Sequence, residues 1–143
     1  MRIGVASDHA GFRYKTLVAQ HLRGLGYEVR DFGAWSEEPV DYPDVIRPLA
    51  IAVAEGTLDR GVVFGGSGNG EAMTANRVRG VRCAVSWDQE SARLSRAHND
   101  ANVLAVGQRL VSEEQVLGIV DVWLATPFEG GRHVARIRKL DEA

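Results

Sequence analysis

A single cysteine, Cys83, stands in this chain of 143 residues. It excludes an internal disulfide and a metal site built on several thiolates. An excess of one charge is lacking too. The formal net charge is −2 and the pI is near 6.1, so electrostatics gives no reason to expect nucleic acid or an anionic membrane as partner. No apolar run approaches the roughly 20 residues that a bilayer span needs. Met1-Arg2-Ile3-Gly4-Val5 runs straight into a strand-like pattern, so no signal peptide is expected and the cytoplasm is the expected compartment. Internal repeats, low-complexity segments and interdomain linkers are absent. What remains is the balance of a folded globular protein, 45% hydrophobic and 25% charged. The length suits one domain over 1–143 that can bury a core without staples.

Apolar, β-branched runs alternate with amphipathic stretches along the whole chain. Ile3 to Ala6 reads as a buried strand, followed by a helix from Phe12 to Leu25 with Leu17, Val18, Leu22 and Leu25 at helical spacing, ended by Gly24 and Gly26. Glu28 to Phe32 is a short strand, and Gly33 to Asp41 a polar loop. Pro43 opens a helix that runs to Gly56. Gly61 to Phe64 is the third strand, and the turn Gly65 to Gly70 leads into a helix ending near Val78. Val81 to Ser86 is the fourth strand, Asp88 caps a helix to His98, and Val103 to Val106 is the fifth strand. Ser112-Glu113-Glu114-Gln115 is a capping signature before Val116 to Leu124. An extra helix, Arg132 to Leu140, follows Gly130-Gly131. Five βα units in series predict a three-layer, doubly wound (Rossmann-like) α/β domain with a five-stranded parallel sheet and that extra C-terminal helix. Ligands of such sheets bind beyond the carboxyl ends of the strands. Attention therefore falls on Ser7-Asp8-His9, Gly65 to Glu71, Ser86-Trp87-Asp88 and Gly107-Gln108-Arg109.

Gly65-Gly66-Ser67-Gly68-Asn69-Gly70-Glu71 carries the most information. At a strand-to-helix turn, its free N–H groups can cradle an anion, and its glycines allow close approach of a ligand. A dinucleotide fingerprint fails at Glu71, a P-loop fails for want of Lys after Gly70, and a serine-hydrolase elbow fails at Asn69. A tight turn without ligand is the plain alternative. Glu71 reads either as a first-turn acid that complements the helix dipole or as a general base. The helix end lowers its pKa and desolvation raises it, and the sequence leaves the winner open.

His98 either complements a helix C-terminus or acts at the crevice. His9 follows the first strand, with Asp8 placed to orient its ring. His21 is expected on the surface. Arg132 and Arg136, four apart with His133 alongside, form a solvated basic face or, with Arg109, a phosphate clamp. Cys83 reads as a small buried hydrophobe. No metal-ligand cluster is visible, and no cofactor is expected.

Ser7-Asp8-His9-Ala10-Gly11, Val40-Asp41-Tyr42-Pro43-Asp44, Gly65 through Glu71 and Ala97-His98-Asn99 resemble ribose-5-phosphate isomerase type B. The wider family includes galactose-6-phosphate and allose-6-phosphate isomerases. The likeness runs from Ile3 to about Ile137 with every motif in order. It implies that Asp8 and His9 contact the sugar phosphate and that Gly66, Ser67, Gly68, Asn69 and Gly70 bind the sugar and stabilise an enediolate. It further implies that His98 assists ring opening, that Asn99 binds substrate, that Tyr42 lies near the sugar, and that Arg109, Arg132 and Arg136 hold the phosphate. Members are dimers or tetramers whose sites combine two subunits.

Many members carry a cysteine base where Gly65 stands and an apolar residue where Glu71 stands. This chain is similar to the subgroup with a glutamate base, so Glu71, His98 and Ser67 are the expected catalytic residues. The reaction implied is interconversion of ribose 5-phosphate and ribulose 5-phosphate. Four- or six-carbon sugar phosphates, a non-catalytic phosphometabolite-binding module and a serine hydrolase built on Ser67 are the alternatives.

Overall fold

The computed structural model describes residues 1–142. Five parallel strands, β1 (Arg2–Ser7), β2 (Glu28–Asp31), β3 (Arg60–Gly65), β4 (Cys83–Val85) and β5 (Val103–Gly107), form one sheet in the order β2-β1-β3-β5-β4. Their side chains alternate between faces. Ile3, Val5, Val62, Phe64, Leu104 and Val106 meet α1 (Phe12–Gly24), α4 (Gln89–Asn99) and α5 (Glu113–Ala125) in one core. Ala6, Val63, Val103 and Ala105 meet α2 (Tyr42–Glu55) and α3 (Asn69–Asn76) in the other. Burial on both faces is why β1, β3 and β5 read as continuous apolar runs rather than alternating ones. The doubly wound expectation holds.

Capping fixes where the helices begin. Ser91 N–H donates to Asp88 Oδ1 at 2.7 Å, and Gln115 N–H donates to Ser112 Oγ at 3.1 Å while Ser112 N–H donates back to Gln115 Oε1 at 2.7 Å. Helix ends depart more from expectation. The helix after the glycine turn stops at Asn76, because Arg77 and Val78 N–H groups donate to Thr74 and Ala75 carbonyls three residues back. The fourth strand is shorter than Val81 to Ser86. Val81 N–H donates to Val78 O, and the Asn76 side chain occupies both backbone groups of Cys83. The C-terminal helix divides into α6 (His133–Arg138) and a 3₁₀ turn over Lys139–Asp141. His21 is not a plain surface residue. Its side chain is 26% exposed and Nε2 lies 2.7 Å from Asp121 Oδ1 on α5. Among the described residues, no helix is long and apolar enough to cross a membrane.

Candidate active site

From β1 the chain crosses to β2 over one face, and from β3 it crosses to β4 over the other. The helices that follow β1 and β3 therefore leave on opposite sides and open a crevice between the two strand ends. Backbone bonds knit the segments bordering it. Asp8 N–H donates to Phe64 O at 3.2 Å, Gln108 N–H to Gly65 O at 2.8 Å, and Arg109 N–H to Gly66 O at 3.0 Å. Ser67 and Asn69 stand exposed at the tip of the glycine turn, with Asn69 N–H donating to Ser67 Oγ at 3.2 Å. Gly68 holds φ +85°, and a Cβ on Gly70 would lie 2.7 Å from the Tyr42 ring. Gly70 thus gives the Tyr42 ring room to pack against the turn.

Glu71 points inward from the first turn of α3 and is 3% exposed. Burial, then the nearby negative charge of Asp8, raises its pKa to about 7, against a lowering by its own backbone N–H. Burial by the protein itself therefore raises the pKa already, apart from any desolvation by a bound sugar. A Cβ on Gly65 would fall 1.3 Å from Glu71 Oε1, so the carboxylate occupies the space that a side chain at position 65 would need. Cys83 is half-buried rather than wholly buried. Burial, then Glu71, pushes its thiol above the usual range, which leaves it protonated and a poor base.

Asp8 does not orient His9. Its Oδ1 accepts from Gly11 N–H at 3.0 Å, and the His9 ring is held from the other side, where Val40 N–H donates to Nδ1 at 3.3 Å. That bond places the proton of a neutral ring on Nε2. The start of the loop after β2, at Ala34 and Trp35, is held by Lys15, a residue not expected at the site. Lys15 is 1% exposed, its Nζ donates to Asp31 Oδ1 at 2.9 Å and to the Ala34 carbonyl, and it lies 5.1 Å from the Trp35 ring centroid. A buried lysine inside an amphipathic helix was the available signal. Asp8, His9, Tyr42 and the 40–44 segment line a cleft of ≈ 520 Å³, a volume suited to a small metabolite.

The remaining expected site residues form a second group. His98 Nε2 lies 3.7 Å from Glu129 Oε2, and the His98 and His133 rings stack at 4.6 Å. Arg132 and Arg136 flank His133. Asn99 borders a different cavity of ≈ 400 Å³ with Asn76, Arg82 and Cys83. Among the described residues, no hydrogen bond or ion pair joins His98, Asn99, Arg132 or Arg136 to Asp8, His9 or Glu71. Arg109 belongs with the first group, its guanidinium against Gly66, so the three arginines do not form one clamp within the chain. One further expectation is corrected. His98, Glu129 and His133 do form a potential metal-ligand cluster, invisible in sequence because 31 residues separate the first two.

A parallel α/β sheet with a buried carboxylate and a glycine turn at its switch point places the chain among doubly wound proteins that bind small ligands beyond their strand ends. Comparison with known proteins makes the class specific. The family model described as Ribose/Galactose Isomerase matches residues 3–140. Ribose-5-phosphate isomerase B of Escherichia coli is 44% identical over 139 residues, covering 97% of this chain and 93% of the relative. A ribose-5-phosphate isomerase B structure from Clostridium thermocellum superposes with TM-score 0.98 at 48% identity, covering 99% of this chain and 96% of that one. Another, from Mycoplasma genitalium with bound ribulose-5-phosphate, gives 0.93 at 36% identity over 99% and 97% of the two chains. The chain belongs to the ribose/galactose isomerase family and is an aldose–ketose sugar-phosphate isomerase.

Proposed function

We propose that this chain, as one sugar-phosphate isomerase domain, interconverts ribose 5-phosphate and ribulose 5-phosphate through an enediolate, with Glu71 as base. The observation that carries the reading is the buried Glu71 carboxylate, filling the space beside Gly65 with its pKa raised to about 7. Moving a proton between carbon 2 and carbon 1 needs a base that faces both carbons, and one carboxylate suffices. A group that titrates near neutral pH can both take the proton and return it. The name of the Escherichia coli relative and the ligand of the Mycoplasma genitalium structure support the choice of pentose.

Negative charge builds on the substrate oxygens in the enediolate. Ser67 and the N–H groups from Gly66 through Gly68 and Asn69 to Gly70 are the donors for it. Tyr42 walls the sugar, Asp8 and His9 meet the substrate below it, and Arg109 holds phosphate oxygens. The furanose must open first, a task for His98, with Asn99 beside it as a substrate ligand. His98, Asn99, Arg132 and Arg136 lie apart from Glu71 within the chain, so a second copy completes each site in a homodimer or a dimer of dimers. The enzyme works in the cytoplasm without a cofactor.

Turnover on a panel of four-, five- and six-carbon aldose and ketose phosphates tests the reading. The five-carbon pair is expected to give the highest kcat/KM, and Glu71→Gln to lower kcat at least ~10²-fold with binding largely kept. Preference for another chain length reassigns the substrate. Full turnover by Glu71→Gln removes it as base, and binding without turnover on every sugar leaves a non-catalytic module.

A further inference from the structure

His98, Glu129 and His133 each offer a ligand atom within 4.8 Å of the other two. Backbone bonds hold the three together. Glu129 N–H donates to Ala97 O at 3.0 Å, beside His98 in the last turn of α4, and His133 N–H donates to Gly130 O at 3.3 Å as α6 begins. A second, independent observation points to a ligand. His133 is 7% exposed, and its Nε2 is buried with no hydrogen-bond partner. Native structures rarely leave such an atom unsatisfied.

We propose that these three residues form a binding site for a divalent transition ion of the zinc class, whose capture takes His98 from the sugar and stops turnover. The inhibition rests on the ring-opening role given to His98 above; the binding does not. Two imidazoles and a carboxylate suit zinc and its neighbours rather than magnesium or calcium, which favour all-oxygen sites. The rings stack nearly parallel, 16° apart, so their lone pairs do not yet converge and one ring must turn to reach bond distances of about 2.1 Å. His98, the more exposed of the two rings in the single chain, is the one that turns. Three protein ligands leave a fourth position for water. Arg132 and Arg136 near His133 and Arg93 near Glu129 oppose a dication, which makes the site reversible rather than permanent.

The probe is Co²⁺, added to EDTA-treated enzyme that retains full turnover. Visible d–d bands of a four-coordinate ion are expected, displaced by Zn²⁺, with turnover falling as either metal binds. Glu129→Gln and His133→Gln are each expected to keep metal-free turnover and to raise the metal needed for half-saturation at least ~10-fold. Should His133→Gln fail to fold, Glu129→Gln carries the comparison, since its side chain is 51% exposed. Absence of the bands at millimolar Co²⁺, or identical titrations in wild type and both variants, overturns the site. Metal bound with turnover intact overturns the inhibition and the ring-opening role of His98 together. Because the spectrum needs no substrate, it also tests the site if the enzyme proves inactive on every sugar.

Discussion

Glu71 and Asp8 place two carboxylates in one crevice, and the charge of one sets the proton affinity of the other. The acid limb of kcat/KM is expected near pH 7, because protonated Glu71 cannot accept the substrate proton. Asp8→Asn removes a negative neighbour, so the Glu71 pKa falls and the limb moves to lower pH. A limb that stays in place shows that Asp8 does not act on the base. The same raised pKa governs stability. The folded protein binds this proton more tightly than the unfolded chain, whose value is near 4.5, so the contribution is complete below that pH and lost as pH rises through about 7. Glu71→Gln should therefore melt higher than wild type at pH 8 and nearly level with it at pH 4. The position of Glu71 was legible in the sequence; its proton affinity was not. That quantity depends on how closely β3 and the strand ends enclose the carboxylate, which packing decides. The Asp8–His9 pairing failed for a related reason. Asp8 caps the 3₁₀ turn that His9 opens and gives its carboxylate to Gly11 N–H, and His9 found its partner 31 residues away at Val40.

Elements were more legible than their ends. Hydrophobic period, caps and turn glycines locate all five strands and the helices between them, because β1, β3 and β5 are enclosed on both faces. β4 was overextended, since Val81 N–H turns back to Val78 O and the Asn102 side chain takes Arg82 N–H before strand pairing begins at Cys83. Nothing in a linear pattern announces those bonds. The end of α4 carries the element-scale prediction. His98 sits in its last turn with no hydrogen bond or ion pair to Glu71, so the ring-opening task proposed for it is separable from proton transfer between carbons. His98→Asn should slow ribose 5-phosphate, which closes to a furanose, far more than erythrose 4-phosphate, which cannot close through its phosphorylated terminal oxygen. Equal losses on both sugars, where both are turned over, would remove the ring-opening role.

At the scale of the whole molecule, the two groups of site residues predict complementation between copies. Glu71→Gln disables one group, and Arg132→Ala with Arg136→Ala disables the other. Random pairing into two-fold dimers makes about half of them mixed. In each mixed dimer, one site carries both defects and one carries neither. Unfolding, mixing and refolding the two variants should then restore about a quarter of wild-type turnover. Recovery no greater than the sum of the separate variants, with subunit exchange verified by mass, would show that each chain holds a complete site. Here the sequence offered the shared site only as an implication of family likeness, because whether the two groups meet within one chain is decided by folding.

The carboxylate that fills the space beside Gly65 also decides how the molecule meets oxidants. An isomerase with a thiolate base is open to peroxide and to alkylating reagents, which attack that sulfur and end turnover. The base proposed here, Glu71, contains no sulfur, and the lone thiol, Cys83, is held protonated by burial and by Glu71. Hydrogen peroxide or iodoacetamide, at doses that silence a thiolate enzyme, should leave turnover unchanged, with mass spectrometry reporting Cys83 unmodified. Loss of activity in step with Cys83 modification would contradict this. With Glu71 as its base, the enzyme is expected to keep turning over under oxidants that silence an isomerase dependent on a thiolate.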